Sequence, residues 1–162
     1  MAVVSQEREK STSVRQLTAE DADAAYNILH VHSEAGAIAG VSWYEVSVIL
    51  SLYGNICFGL EEDSHLVAIS LNLPIMDRKA IFAFLFTVAK EKVGQTLGGK
   101  LLTTVLENLK ALGWETMQLR VLDHNQIAKK FWRQAGFVEI SAPDWLEQKD
   151  SQATERLLER SL

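Results

Sequence analysis

Ile81 to Ala89 is the longest apolar run in the chain, interrupted only by Thr87. It is far too short to span a bilayer and lacks the alternation of a half-solvated strand, so it reads as a central strand over Ile81 to Val88, covered on both faces. The residues after this strand narrow the fold further. Ala89 to Lys92 lead into a glycine-bearing turn, Val93-Gly94-Gln95-Thr96-Leu97-Gly98, and there the period changes. Leu97, Leu101 and Val105, with Leu102, Leu106 and Leu109, recur at three- and four-residue steps, which predicts a helix from Thr96 that Gly113 closes. Met117, Leu119 and Val121 then alternate with Gln118 and Arg120 as a second strand. Asn125 opens a short helix that carries Ile127, Ala128, Phe131, Trp132 and Ala135 on one side and ends at Gly136-Phe137.

The chain before this unit carries its own punctuation. Residues 1 to 12 read as a frayed polar tail without the apolar core of a signal peptide or anchor, and residues 13 to 162 as one domain. Ser13 to Leu17 is a short strand. Thr18 with Asp21 forms a weak capping box for a helix to about His32, with Ala22, Ala25, Ile28 and Leu29 in its apolar stripe. Ser42 with Glu45 is a stronger capping box, with Val41 and Val46 set as a hydrophobic staple. That helix should end at Tyr53-Gly54, glycine supplying a left-handed terminal turn. Ile56 to Leu60 and Leu66 to Leu73 read as a hairpin across Glu61 to His65. Residues 138 to 141 look extended, whereas Ser151 to Leu162 admits either a strand or a terminal helix.

Composition excludes several classes. A chain of 162 residues with 48% hydrophobic and 23% charged residues can bury a full core. A net charge of -5 provides no concentrated basic face for nucleic acid. The single cysteine, Cys57, lies in an apolar strand-like run and reads as a buried structural thiol; a cytoplasmic, reducing setting is the economical one. His30 and His32 diverge around a helix, and no His/Cys cluster has ligand spacing, so no metal site is expected.

A strand, a glycine turn and a helix start together make an anion site. The first helical N–H groups lack intrahelical partners, and the helix dipole adds positive charge. Gly94 and Gly98 let backbone approach a ligand. With Asn125, Ala128, Phe131, Gly136 and Phe137 at their spacing beyond it, the arrangement resembles the GNAT superfamily of acyl-CoA N-acyltransferases. That family's turn reads Arg/Gln-x-x-Gly-x-Gly/Ala, and its later helix reads Asn-x-x-Ala-x-x-aromatic-Tyr before Gly-Phe. The resemblance covers roughly residues 13 to 141. It implies an α/β (α+β) single-domain fold, a mixed, mostly antiparallel central sheet flanked by about four helices. It implies acetyl-CoA as co-substrate, with no metal. The amides of Val93, Gly94, Gln95, Thr96, Leu97 and Gly98 would hold the diphosphate, and Thr87, Val88 and Ala89 would pair with pantetheine. Asn125, Phe131 and Trp132 would line the pantetheine arm. The thioester carbonyl would be polarised near Val88.

The chain departs from the pattern at three places. Val93 replaces Arg or Gln and Thr96 replaces the first motif glycine; a frame starting at Gln95 recovers the polar residue but puts Lys100 at the last small position. Trp132 stands where the family has a tyrosine that protonates the departing thiolate, and an indole N–H does not titrate near neutrality. Trp132 also reads as an ordinary core aromatic, and Asn125 as a plain N-cap. The strand Ile81 to Phe86 carries no carboxylate, with Phe82 and Phe84 there instead. His124 and Tyr44 are the remaining candidates for catalytic proton handling, although the default reading of His124 is a solvated loop residue. Lys129, Lys130 and Arg133 form a small basic face suited to a phosphate or simply to solvent. The expected activity is transfer of acetyl from acetyl-CoA to a primary amine of a small molecule or peptide by direct attack. The alternative is a catalytically silent module of the same fold that senses acyl-CoA or a protein. No nucleic acid or membrane partner is expected, and a homodimer is compatible with the resemblance.

Overall fold

The computed structural model describes residues 10–34, 40–94, 96–141 and 155–162. Along the chain run β1 (Thr12–Gln16), α1 (Ala22–Glu34), α2 (Trp43–Tyr53), β2 (Phe58–Glu62), β3 (His65–Ile75), β4 (Ala80–Val88), α3 (Leu97–Ala111), β5 (Thr116–Leu122), α4 (Gln126–Gln134), β6 (Val138–Ile140) and β7 (Glu155–Ser161). The seven strands form one sheet in the order β1-β2-β3-β4-β5-β7-β6, flanked by the four helices. Every neighbouring pair is antiparallel except β4–β5. Among the described residues no helix is long and apolar enough to cross a membrane.

The helix starts follow their sequence signals. Ser42 Oγ accepts from the Glu45 N–H at 3.2 Å while Glu45 Oε2 accepts from the Ser42 N–H at 2.7 Å, the reciprocal pairing that satisfies two orphan donors. Val46 is fully buried beneath it and Val41 packs against the core. The Thr18–Asp21 box forms too, but caps a short 3₁₀ turn at Ala19–Asp21 that leads into α1. Gly54 corrects one expectation. Its φ is -54°, right-handed, and the chain passes through a 3₁₀ turn at Gly54–Ile56. Glycine is needed there for space, because a Cβ would lie 2.6 Å from the Leu17 carbonyl oxygen. Gly113 and Gly136 do take left-handed φ, +94° and +91°.

The ambiguous C-terminal stretch is a strand. β7 inserts between β5 and β6, pairing with β5 from Thr116↔Ser161 to Leu122↔Glu155. Adjacent Leu157 and Leu158 are both buried, although successive residues of a strand point to opposite faces of the sheet. Helix-friendly composition yields to two neighbouring strands that satisfy its backbone. Cys57 is fully buried, and desolvation pushes its thiol up to about 11, so it serves as core rather than nucleophile.

Two irregularities in β4 shape what the sheet offers. Leu71 pairs with Leu85 and Asn72 with Ala83, leaving Phe84 as the extra residue of a bulge. The bulge reverses the alternation, so Phe82 and Phe86 face opposite sides, although a regular strand would put them together. The parallel ladder between β4 and β5 is also only three pairs long, ending at Phe82↔Gln118, while the strands run on to Val88 and Leu122. Beyond that pair the two strands part.

Candidate functional site

A groove of about 500 Å³ opens where β4 and β5 part. Its floor comes from Phe86, Thr87 and Val88 at the end of β4. Its walls are the turn at Val93, Gly94 and Thr96, the first turn of α3 at Leu97 to Gly99, and the first turn of α4 at Asn125, Ile127 and Ala128. Two helix N-termini therefore converge on one concavity, each turning the positive end of its dipole toward it. The start of α3 carries no side-chain cap. At α4 the Asn125 Oδ1 accepts from the Ala128 N–H at 3.1 Å, so the plain N-cap role is real and coexists with a place in the groove wall.

The turn is held in left-handed backbone. Gly94 has φ +87° and Thr96 has φ +62°. For Gly94 this is free, but a β-branched residue there crowds its Cβ against the following carbonyl, at roughly 1–2 kcal/mol. Thr96→Gly is expected to raise the melting temperature, by the equivalent of roughly 0.5–1 kcal/mol once the added freedom of the unfolded chain is deducted. A lowered melting temperature would mean that contacts of the Thr96 side chain outweigh its backbone strain.

Below the groove the rings interlock. Trp132 makes edge-on contacts with Phe86, Phe131 and Phe137 at centroid distances of 5.1, 4.9 and 5.1 Å. It is 7% exposed, so it is a core aromatic whose edge also lines the groove. Gly98 sits against this cluster: a Cβ there would lie 3.6 Å from the Phe131 ring and 3.7 Å from Val88 Cγ2.

Electrostatics reach the groove through Lys92, the one charged side chain lining it among the described residues. Its Nζ lies 2.6 Å from Glu62 Oε1, and Lys10 approaches the same oxygen at 3.4 Å. The hydrogen bond with Lys92 holds Glu62 below its usual range, and the same bond raises the ammonium. Lys92 adjoins Val93, so a cation stands next to the position where the motif's polar residue is lost. A lysine in a polar turn has no distinguishing pattern in the sequence.

The β5–α4 turn is fastened by Asp123. Its Oδ1 accepts from Lys129 Nζ at 3.0 Å and from Arg156 Nε at 2.9 Å. Lys129 is 9% exposed and so is withdrawn from the basic face, leaving Lys130 and Arg133 in solvent. Lys129 first, then Arg156, holds the Asp123 carboxylate below its ordinary range. A carboxylate depressed by folding contributes stability that is fully present above its unfolded value of about 3.9 and is lost as pH falls through the lower folded value. The melting temperature is therefore expected to fall on acidification below about pH 4, and Asp123→Asn to flatten that limb, as read by thermal melts from pH 2 to 7.

Of the residues expected at the site, Thr87, Val88, Val93, Gly94, Thr96, Leu97, Gly98, Asn125, Phe131 and Trp132 line one groove. Gln95 lies outside the described residues. Ala89 is buried elsewhere, and its N–H is donated to the Val67 carbonyl at 2.7 Å. His124 is exposed beside Asn125 without lining the groove, and Tyr44 is 71% exposed on the first turn of α2, also away from it. Gly99 and Ile127 join the wall unforeseen, each a neighbour of a motif residue. Among the described residues no group of three or more His, Cys, Asp or Glu is placed to hold a metal ion.

Comparison with known proteins places this geometry. A search of curated proteins found no match. Among solved structures, the PaiA N-acetyltransferase of Thermoplasma acidophilum in complex with coenzyme A superposes with a TM-score of 0.75 at 15% identity, over 94% of this chain and 99% of that one. The diaminobutyrate acetyltransferase EctA of Paenibacillus lautus, in complex with its substrate and coenzyme A, gives 0.76 at 13% identity, over 93% and 94%. The ribosomal-protein-S18-alanine N-acetyltransferase of Escherichia coli gives 0.72 at 20% identity, over 93% and 94%. At these identities the likeness is one of fold. The acetyltransferase (GNAT) family model matches residues 14–137, most of the sheet and both helix starts that form the groove. The chain belongs to the acetyltransferase (GNAT) family.

Proposed function

We propose that this chain transfers an acetyl group from acetyl-CoA to a primary amine of a small molecule or peptide, in the cytoplasm. The observation that carries the reading is the convergence of the α3 and α4 N-termini on a groove at the fork between β4 and β5. A diphosphate suits this cradle: a Cβ at Gly94 or Gly99 would meet nothing within 4 Å, so backbone can be approached, and Lys92 brings a cation alongside. In this reading the N–H groups of the turn and the first turn of α3 hold the diphosphate, while that of Val93 is donated to the Lys90 carbonyl at 3.4 Å. Thr87 and Val88 receive the pantetheine arm, with Asn125 and Phe131 beside it.

When bound, acetyl-CoA supplies an activated thioester carbonyl. The chain's own part is positioning: the rigid strand end and two helix starts fix the donor, which converts a bimolecular encounter into a near-unimolecular one. The N–H groups and dipoles aimed into the groove favour negative charge there. Trp132 cannot give a proton. A thiol titrates near 8.5, so its thiolate leaves without obligatory protonation, and His124 or Tyr44 can return the proton by way of solvent.

Titration calorimetry with acetyl-CoA tests the binding step, with micromolar affinity expected; an undetectable heat with an unchanged melting temperature would overturn the reading. Turnover against an amine panel tests the chemistry. Trp132→Tyr, which restores a phenol at the wall, is expected to raise kcat by up to about tenfold if thiolate protonation limits the rate. Tight binding with no turnover of any amine would return the chain to a silent acyl-CoA module.

A further inference from the structure

Two glutamates end β2, and the alternation of the strand sends them to opposite faces. Glu61 meets Arg15, whose Nε donates to its Oε1 at 2.9 Å. Glu62 follows Phe58 and Leu60 on the other, buried face, and is itself 8% exposed. That face belongs to α3: Thr12, the β1 partner of Glu62, accepts from Lys100 Nζ in the first turns of the helix. A carboxylate that continues an apolar stripe needs a cation, and Lys92 Nζ supplies it at 2.6 Å.

Lys92 reaches the donor groove as well. It ends the short turn at Lys90–Lys92, where its N–H is donated to the Ala89 carbonyl at 2.8 Å, and it is the one charged side chain lining the groove among the described residues. Val93 beside it brings no charge to the place where the motif has Arg or Gln. The charge at this wall therefore depends on where one ammonium sits. A lysine has a long flexible stem, and an unanchored ammonium is drawn out into water. Glu62 prevents that without cancelling the charge: Lys10 approaches the same Oε1 at 3.4 Å, so two cations meet one carboxylate. An ammonium bonded once to Glu62 still has N–H groups to donate to an anion.

We infer that Glu62 is a positioning residue for the acyl donor: acting through Lys92, it holds at the groove wall an ammonium that binds a phosphate group where Val93 cannot. This rests on the acyl-transfer reading for the identity of the ligand. It extends the donor site to β2, none of whose described residues line the groove. No proton changes hands, since Glu62 acts as a carboxylate and Lys92 as an ammonium throughout.

The probes are inorganic diphosphate and acetyl-CoA, each titrated by calorimetry between roughly 50 and 500 mM KCl, with thermal melts alongside. The wild-type chain is expected to bind both, more weakly as salt rises. Lys92→Met is expected to weaken each about tenfold and to flatten the salt dependence. Glu62→Gln, which keeps the size of the side chain, is expected to cause the same loss, and Glu62→Asp to recover part of it. In the double variant the losses do not add, because Glu62 acts through Lys92: it binds no more weakly than Lys92→Met alone. Wild-type affinity in a folded Glu62→Gln chain would overturn the inference and leave Glu62 a structural role only. Tighter binding would overturn it too, by showing that Glu62 competes with the ligand for Lys92. So would losses that multiply to about a hundredfold in the double variant. Diphosphate bound with the expected pattern by a chain that rejects acetyl-CoA would support the anion site and defeat the acyl-transfer reading. A wild-type chain that binds neither probe would overturn both.

Discussion

Trp132→Ala is expected to lower the stability of the fold by about 3–5 kcal/mol, the range for deleting a large buried aromatic. Three ring contacts at 4.9–5.1 Å would be lost at once, and the cavity would open between α4, β4 and the Gly136-Phe137 turn. Those elements cannot close the gap easily, since Phe137 is itself 2% exposed and Phe86 belongs to a strand fixed by its ladder with β3. Urea unfolding would show the midpoint displaced by that amount, with Trp132→Phe much closer to wild type because it keeps a ring in the cluster. A loss below about 1 kcal/mol for the alanine variant would mean that the indole belongs to the groove more than to the core.

Gly98→Leu is expected to leave the fold intact and weaken acetyl-CoA binding by about a hundredfold, roughly 2.7 kcal/mol. Gly98 lies in the first turn of α3, where φ is not in the left-handed region, and a Cβ there meets the Phe131 ring and Val88 at ordinary contact distances. Gly98→Ala should therefore stabilise the helix, by up to about 1 kcal/mol. Leucine adds three further carbons, and with Phe131 and Val88 already in contact with the Cβ they extend into the groove. Calorimetry with acetyl-CoA, paired with a thermal melt, separates the two effects. Wild-type affinity in a folded Gly98→Leu chain would place the ligand somewhere other than this groove.

Trp132 and Gly98 are both residues that the sequence marks, and this is no accident of the site. A groove built from one strand end, one turn and two helix starts is encoded almost locally: glycine spacing, an N-cap and a change of period identify it before any long-range contact is known. The family resemblance joined the two halves, and the structure brings Thr87, Gly94, Gly98 and Asn125 to one concavity. Lys92 is not legible as a site residue, because its significance comes from Glu62, thirty residues earlier in the chain on β2. Neither Tyr44 nor His124 lines the groove, because residue type and position in the sequence do not aim a side chain.

The helices, the hairpin, the buried strand and the glycine turn are legible in the sequence, since each depends on caps, turn residues and periodicity within a few residues of one another. Tertiary structure decided what local pattern does not contain. A C-terminal stretch that could have been a helix became β7 because β5 and β6 offered it hydrogen bonds on both edges. That insertion set Glu159 against Gln118. The bulge at Phe84 arose from strand pairing with β3, and it turned Phe82 and Phe86 to opposite faces of the sheet. The fork itself comes from where the β4–β5 ladder stops. Register between strands distant in sequence is fixed by global packing, and it is register that puts Phe86 in the groove and Phe82 on the opposite face of the sheet.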